Sequence, residues 1–140
     1  MPAAFRTTRI VEFGDTDMAG IVHFANFFRF MEAAEHAYLR SLGLSVVMEI
    51  DGGKYGLPRV SASCDYLRPA RFGDELTVEV TVVKLGRSSV SYAFDFTHGD
   101  EPIARGRVTA VFCRFDAGRP EACEMPAAFR TKLGPGGAPA

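Results

Sequence analysis

The 140-residue sequence has little that would connect it to nucleic acid, to a membrane or to a disulfide framework. Its formal net charge is −1 and it contains no basic run, whereas proteins that bind duplex nucleic acid carry a basic footprint. No apolar run approaches the roughly 20 residues of a membrane span, and the first residues lack the apolar segment of a secretory signal. Three cysteines, Cys64, Cys113 and Cys123, are odd in number and form no C-x-x-C pair. We therefore expect a cytoplasmic protein with reduced thiols that binds neither nucleic acid nor membrane.

Several motifs that carry chemistry in other proteins are also absent. The sequence contains no G-x-x-x-x-G-K-[ST] or G-x-G-x-x-G phosphate loop and no G-x-S-x-G nucleophile elbow. Its three histidines, His23, His36 and His98, do not have the spacing of metal ligands. We therefore expect neither a metal nor a redox cofactor.

The hydrophobic patterning predicts one long helix and five strands in a single domain, residues 1–133. Hydrophobic residues make up 47% of the chain and charged residues 24%, the ordinary balance of a globular protein. The predicted order is a strand at 5–13, a helix at 24–42, and strands at 57–67, 75–85, 88–97 and 102–115. The remaining segments are predicted as a connector at 44–56 with a possible helical turn at 45–50, a short helix at 125–133 and a disordered tail at 134–140.

The predicted long helix carries its apolar residues on one stripe and most of its charged residues off it. The stripe consists of Phe27, Phe30, Met31, Ala34, Tyr38 and Leu42. The residues placed off the stripe are Arg29, Glu32, Glu35, His36 and Arg40. One helix cannot cover both faces of a five-stranded sheet, so we expect an α+β fold in which an antiparallel sheet wraps around the central helix. Its open edges favour pairing with a second copy.

An acidic turn runs directly into this helix and is the best candidate for chemistry. Asp15 and Asp17 lie in the turn, close to unpaired N–H groups at the helix start near His23 and Phe24. Both aspartates could simply cap the turn, and a metal-binding D-x-D is a weaker alternative. A carboxylate beside free N–H donors can instead attack a thioester or deprotonate water, with the oxyanion held by the N–H groups.

The segment 10–30, I-V-E-F-G-D-T-D-M-A-G-I-V-H-F-A-N-F-F-R-F, strongly resembles the hotdog-fold acyl-CoA thioesterases of the 4-hydroxybenzoyl-CoA thioesterase family. That family's pattern is roughly E-F-x-D-x-D-x-x-G-[IV]-V, followed by two aromatic or histidine positions and N-Y or a similar pair. Weaker likeness is found at 56–60, 68–76, 86–89 and 126–130.

The resemblance implies a hotdog fold and site residues at matching positions of this sequence. Asp17 matches the catalytic carboxylate, and the backbone N–H groups of Phe24 and His23 match the oxyanion hole. The positions implied to bind substrate are Gly20, Ile21, Val22, Glu32 and Pro58. The positions implied to bind the phosphates of coenzyme A are Lys84, Arg87 and Ser88.

The implied reaction is hydrolysis of an acyl-CoA thioester to a free acid and coenzyme A, which is part of the substrate and not a cofactor. The resemblance also implies a homodimer or homotetramer. The sequence leaves open the acyl group, and whether the aspartate is nucleophile or general base. The alternatives are an acyl-carrier-protein thioesterase and a non-catalytic acyl-CoA-binding domain. A hotdog hydratase is less consistent with the sequence, which lacks an H-x-x-x-x-P-G stretch.

Overall fold

The computed structural model describes residues 4–115 and 118–136. Within these residues the chain forms nine strands, two α-helices and a 3₁₀ turn at Phe13–Asp15. The helices are α1 (Asn26–Ser41) and α2 (Ala127–Gly136). The strands are β1 (Phe5–Ile10), β2 (Val47–Ile50), β3 (Gly53–Gly56), β4 (Arg59–Tyr66), β5 (Glu75–Leu85), β6 (Ser89–His98), β7 (Glu101–Val111), β8 (Cys113–Arg114) and β9 (Glu121–Ala122).

The larger sheet has five antiparallel strands in the order β1-β5-β6-β7-β4, which confirms the predicted α+β class and strand number. Its central strands alternate between buried and more exposed residues over most of their length, because successive side chains of a strand point to opposite faces. The buried residues of β5 and β6 are Leu76, Val78, Val80, Val82, Leu85, Val90, Tyr92, Phe94 and Phe96. The edge strands are β1 and β4.

Helix α1 provides much of the core on one side of this sheet. The predicted stripe is buried between Phe27 and Tyr38, and Leu39 adds to it. The helix has 16 residues and is shorter than the predicted 24–42. The prediction that the sheet wraps around one long central helix is therefore not confirmed. The placement of Glu35 off the buried face was wrong, because this residue is only 1% exposed.

A second, four-stranded sheet in the order β2-β3-β8-β9 was not predicted. The segment 44–56, interpreted as a connector with a possible helical turn, instead forms the β2–β3 hairpin. Its two turn residues, Asp51 and Gly52, have φ values of 48° and 80°. Positive φ at both central residues is the geometry that Asp-Gly favours in tight hairpins, so this pair joins two strands and does not end a helix.

The ends of several elements also differ from the prediction. Strand β1 stops at Ile10, and β7 stops at Val111, after which the chain enters the smaller sheet. Helix α2 starts two residues after the predicted 125 and continues to Gly136. The rest of the predicted disordered tail, 137–140, lies outside the described residues.

Gly106 on β7 allows α1 to lie close to the sheet. A Cβ atom at this position would come within 2.3 Å of Met31 Cε, on α1, and 3.3 Å of the Ser63 carbonyl oxygen, on β4. Because Met31 is flexible at its end, a single methyl group can be accommodated by a shift of that side chain. A branched side chain cannot.

We therefore expect Gly106→Ala to lower the free energy of unfolding by less than about 1 kcal/mol and Gly106→Val to lower it by about 1–3 kcal/mol. Urea unfolding monitored by circular dichroism measures both values. Gly134→Ala in α2 is the matched control, since its Cβ would meet only Leu85 at 4.0 Å, and it is expected to be neutral or slightly stabilising. Equal stability of the two Gly106 variants would show that α1 does not press on β7 here.

Candidate active site

The turn between β1 and α1 is a hydrogen-bonded loop that presents Asp17. The Asp17 N–H donates to the Ile21 carbonyl at 2.9 Å, and the Gly20 N–H donates to the Asp17 carbonyl at 2.9 Å. Gly20 has a φ of 80°, a backbone conformation that residues other than glycine rarely adopt. Thr16 and Val22 form an antiparallel bridge across the base of the loop. Asp17 is thus held on a short, closed loop.

Asp15 is the structural residue of this turn. It is 9% exposed, and its Oδ2 accepts the Glu12 N–H at 2.8 Å and lies 3.4 Å from Nη2 of Arg9. Its backbone carbonyl accepts the His23 N–H at 2.9 Å and Nδ2 of Asn26 at 2.8 Å. Asp15 therefore connects the end of β1, the turn and the first residue of α1.

Asp17 is exposed and has one carboxylate oxygen available for chemistry. Its Oδ1 accepts the Ala19 N–H at 2.9 Å, so the turn-capping role considered from the sequence is present. Within residues 4–115 and 118–136 its second oxygen has no hydrogen-bond partner, and the carboxylate faces a cavity of about 370 Å³. The cavity is lined by Asp17, Ile21, Val22, Phe24, Phe27, Tyr66, Leu67, Arg68, Pro69 and Ala70.

The two N–H groups predicted to form an oxyanion hole are not equivalent. The His23 N–H is already donated to the Asp15 carbonyl, whereas the Phe24 N–H has no partner among the described residues. The peptide that carries the Phe24 N–H is held through the His23 carbonyl, which accepts the Asn26 N–H at 2.9 Å. The following peptide is held by a bond that sequence reasoning missed: the Tyr66 hydroxyl donates to the Phe24 carbonyl at 2.9 Å. The His23 ring accepts the Ala25 N–H on Nδ1 at 3.1 Å. His23 therefore helps begin the helix, and Phe24 is left with a free donor.

The structure brings Gly20, Ile21 and Val22 to Asp17 but separates the other predicted substrate residues from it. Glu32 lines a different cavity, on the side of α1 that faces β4. Pro58 precedes β4 at the end opposite Tyr66, about 25 Å away along the strand. Within one chain, neither residue is placed beside Asp17.

The predicted phosphate-binding residues also lie far from Asp17 in the same chain. Val11 pairs with Asp74 immediately before β5, so the Asp17 turn is at the start of that strand. Lys84 is near the end of β5, and a strand rises about 3.3 Å per residue, which places it about 30 Å away. Arg87 and Ser88 follow in the β5–β6 turn.

A groove between α1 and β4 contains the second cavity, of about 260 Å³. At one end of the groove, the Tyr66 hydroxyl of β4 donates to the carbonyl of Phe24, just before α1. At the other end, Arg59 of β4 forms an ion pair with Glu35 of α1. Oε2 of Glu35 is buried and has no hydrogen-bond partner among the described residues. The cavity lining consists of Phe28, Arg29, Met31, Glu32, Glu35, Arg59, Ala62, Phe94 and Val108.

Burial raises the pKa of the Glu35 carboxyl above its ordinary value. The positive charge of Arg59 opposes this rise, and so, more weakly, does the Tyr92 hydroxyl, which lies nearby without reaching hydrogen-bond geometry. Glu32, whose Oε2 lies 3.9 Å from the Arg59 guanidinium, adds negative charge and raises the pKa of Glu35 further. Sequence patterning missed Glu35 because a lone glutamate on a helix is usually solvated.

No group of three or more His, Cys, Asp or Glu side chains in the described part of the chain is arranged to hold a metal ion. None of the helices described is long and apolar enough to cross a membrane.

Comparison with known proteins identifies the family. The family model of the thioesterase-like superfamily matches residues 11–133. The chain belongs to this superfamily. A 1,4-dihydroxy-2-naphthoyl-CoA hydrolase from Synechococcus elongatus is 35% identical over 103 residues, which cover 73% of this chain and 76% of that protein. The 4-hydroxybenzoyl-CoA thioesterase of a Pseudomonas species is 32% identical over 126 residues, covering 85% and 89%.

Solved structures of thioesterases in this superfamily have the same hotdog fold. A 1,4-dihydroxy-2-naphthoyl-CoA thioesterase from Synechocystis superposes with a TM-score of 0.84 at 27% identity, covering 94% of this chain and 96% of that one. A gentisyl-coenzyme A thioesterase superposes with a TM-score of 0.81 at 29% identity, covering 92% and 99%. The predicted family resemblance and hotdog fold are confirmed.

Because the Glu35 carboxyl is buried, we expect the free energy of unfolding to depend on pH. Because the pKa of Glu35 is raised in the folded state, the folded state binds its proton more tightly than the unfolded chain does. The stability contributed by Glu35 is therefore greatest below its ordinary pKa of 4.5 and is lost as the pH rises through the higher, folded-state pKa.

We expect the free energy of unfolding of Glu35→Gln, relative to that of the wild type, to increase as the pH is raised from 4 to 8. Urea unfolding at a series of pH values measures this difference, with Glu75→Gln on the exposed surface of β5 as the matched control. A flat profile for Glu35→Gln would mean that its pKa is not raised by folding.

Proposed function

We propose that this chain hydrolyses an acyl-CoA thioester to a carboxylic acid and coenzyme A, with Asp17 as the catalytic carboxylate. The observation that carries the proposal is that the unpartnered oxygen of Asp17 and the unpartnered N–H of Phe24 belong to residues lining one cavity. Acyl transfer requires at least a nucleophile or general base and an oxyanion donor at the same site. The names of the relatives support the same reaction for this chain.

Asp17 serves in one of two ways. As a nucleophile, its free oxygen attacks the thioester carbon, the C–S bond breaks to release the thiolate of coenzyme A, and water hydrolyses the resulting mixed anhydride. As a general base, it takes a proton from a water molecule while that water attacks the same carbon, and the proton passes to the leaving thiolate. Both routes consume one water and give the same products.

The oxyanion is assigned to the Phe24 N–H alone. The His23 N–H, which the sequence also suggested, is used within the turn by the Asp15 carbonyl. The peptide that carries this N–H is held through the His23 carbonyl, which accepts the Asn26 N–H at 2.9 Å, so the N–H direction is set before substrate binds. The Tyr66 hydroxyl holds the following peptide through the Phe24 carbonyl. Such a preorganised donor stabilises developing negative charge without reorganisation during the reaction.

The acyl group is proposed to be aromatic. Named relatives act on naphthoyl, benzoyl and gentisyl esters of coenzyme A. In this chain the rings of Phe24, Phe27 and Tyr66 line the Asp17 cavity, and Phe27 and Tyr66 pack edge to face with centroids 5.6 Å apart. Aromatic walls suit a flat acyl group.

The functional protein is proposed to be a homodimer or homotetramer, in which the five-stranded sheet of one chain pairs with that of another copy. Lys84, Arg87 and Ser88 are about 30 Å from Asp17 within one chain, so any role for them with coenzyme A phosphates requires a second copy. Pro58 is separated in the same way. The open edges at β1 and β4 are available for such pairing.

Asp17→Asn is expected to reduce kcat by at least about 100-fold, because the amide can neither attack nor accept a proton while its Oδ1 can still bind the Ala19 N–H. Thiol release from benzoyl-CoA, 4-hydroxybenzoyl-CoA and 1,4-dihydroxy-2-naphthoyl-CoA measures the loss. Asp100→Asn, in the exposed β6–β7 turn, is the matched control and should retain activity. Equal activity of wild type and Asp17→Asn would assign Asp17 to the turn alone.

Tyr66→Phe is expected to lower kcat about fivefold with little change in KM, since it removes one neutral hydrogen bond, worth about 1 kcal/mol, that holds the Phe24 carbonyl and so restrains the backbone of the residue that carries the proposed oxyanion donor. The same thiol-release assay measures kcat and KM, and the melting temperature controls for folding. An unchanged kcat would show that the oxyanion donor does not depend on this bond.

A further inference from the structure

The start of α1 lacks two features that usually stabilise a helix N-terminus. Its N-cap residue, Ala25, makes no side-chain capping bond, and the first turn contains no acidic residue. The helix start has instead the ring of His23, whose Nδ1 accepts the Ala25 N–H at 3.1 Å. His23 thus supplies the capping contact of α1 from two residues before the N-cap.

This contact spans Phe24, whose N–H is the proposed oxyanion donor. The Ala25 N–H that the ring accepts belongs to the peptide that follows Phe24. In the peptides before it, the His23 N–H donates to the Asp15 carbonyl and the His23 carbonyl accepts the Asn26 N–H, each at 2.9 Å. His23 is therefore bonded at its N–H, its carbonyl and its ring, and these bonds restrain the backbone on both sides of the Phe24 N–H.

The ring can accept the Ala25 N–H only while it is neutral. Because Nδ1 is the acceptor, the neutral ring carries its proton on Nε2, and a second proton would turn Nδ1 into a donor that faces another donor. The added positive charge would also lie at the positive end of the α1 macrodipole. His23 is exposed, so solvent reaches the ring. Histidine is the side chain that ordinarily changes its charge in the physiological pH range.

No neighbouring charge compensates for loss of this bond. Within residues 4–115 and 118–136, the polar and aromatic contacts of the ring are the Ala25 N–H and the Phe24 ring, which stacks on it with centroids 4.8 Å apart. The titratable and charged side chains of the turn, the start of α1, the end of β4 and the segment after β4 are Glu12, Asp15, Asp17, Arg29, Asp65, Tyr66 and Arg68. Because none of them forms a hydrogen bond or an ion pair with the His23 ring, a proton on Nδ1 gains no carboxylate partner.

We infer that His23 is a positioning residue whose neutral ring holds the Phe24 N–H in place, and that protonation of this ring releases the N–H and lowers turnover. The inference rests on the proposed function, because it takes the Phe24 N–H as the oxyanion donor. The ring acts through the backbone, since His23 is not among the residues that line the Asp17 cavity. Turnover should therefore fall at acid pH for a reason separate from protonation of Asp17.

The first test follows kcat and KM from pH 8 to pH 5.5 in the wild type and in His23→Asn, with the best-hydrolysed of the three aromatic esters. The asparagine oxygen can accept an N–H two residues further along the chain, and it takes up no proton in this range. We expect the wild-type kcat to fall about fivefold more than that of the variant, the effect of one neutral hydrogen bond, with little change in KM. Protonation of Asp17 lowers both proteins equally and cancels in the ratio.

Two further variants separate the hydrogen bond from the ring. His23→Phe keeps a ring that can stack on Phe24 but removes the acceptor, so its kcat should be about fivefold below that of the wild type at pH 8 and equal to it at pH 5.5. His36→Gln, further along α1, should keep the wild-type profile, and melting temperatures control for folding.

Three results overturn the inference. The first is a pH profile shared by the wild type and His23→Asn, and the second is a wild-type kcat at pH 8 in His23→Phe. The third is a wild-type kcat that rises at acid pH relative to His23→Asn, because the charged ring would then assist the oxyanion directly.

Nuclear magnetic resonance of the isotope-labelled protein tests the contact without reference to catalysis. At pH 8 the nitrogen shifts of the His23 ring should place its proton on Nε2, and the Ala25 and Phe24 amide signals should move as the ring takes up a second proton. In His23→Asn these amide signals should stay constant. If the wild type releases thiol from none of the esters, the proposed hydrolysis is wrong for them, and the spectra alone decide on His23. A neutral ring with its proton on Nδ1, or amide signals that do not follow the ring, overturns the assignment.

Discussion

The burial of Asp15 beneath Arg9 is the constraint on which the candidate site depends. A carboxylate with little exposure must be paired and hydrogen-bonded, and Asp15 meets this requirement with Arg9 and the Glu12 N–H. Arg9 in turn lies over the Phe30 ring, 4.6 Å from its centroid, so the ion pair is anchored on α1. The backbone carbonyl of Asp15 then fixes His23 and the start of the helix. One buried side chain thereby sets the positions of both Asp17 and Phe24, neither of which is itself buried.

A second set of polar contacts fixes α1 against β4, the edge strand that packs beside it. Most of the helix is held to the sheet by apolar residues, which fix distance but permit sliding. The Tyr66–Phe24 hydrogen bond and the Arg59–Glu35 ion pair are directional and lie at opposite ends of the groove. Together they determine how the helix is placed along the strand and preserve the cavity between them. The contact at one end holds the Phe24 carbonyl, and the contact at the other leaves Oε2 of Glu35 without a hydrogen-bond partner among the described residues.

Where buried and more exposed residues alternate along a strand, the sequence predicts the fold well, and β5 was located to the residue. Asp17 could be proposed from the sequence because its turn motif is local. The β2–β3 hairpin was missed because Asp51-Gly52 was interpreted as a break and not as a tight turn. Glu35 and Tyr66 could not be found from periodicity, since their roles depend on partners 24 and 42 residues away.

The residues predicted to bind the acyl group and those predicted to bind the coenzyme A phosphates lie at opposite ends of the central strands in a single chain. The Asp17 cavity is the proposed site of the acyl group and its carbonyl. Lys84 and Arg87 are at the far end of the central strands, where the β5–β6 turn is held by the Met125 N–H on the Arg87 carbonyl at 3.0 Å. A turn anchored in this way cannot swing across the sheet to reach Asp17. If these cations meet the phosphates of a bound ester, they must come from another copy of the chain, so oligomer formation and substrate binding would be coupled in this protein.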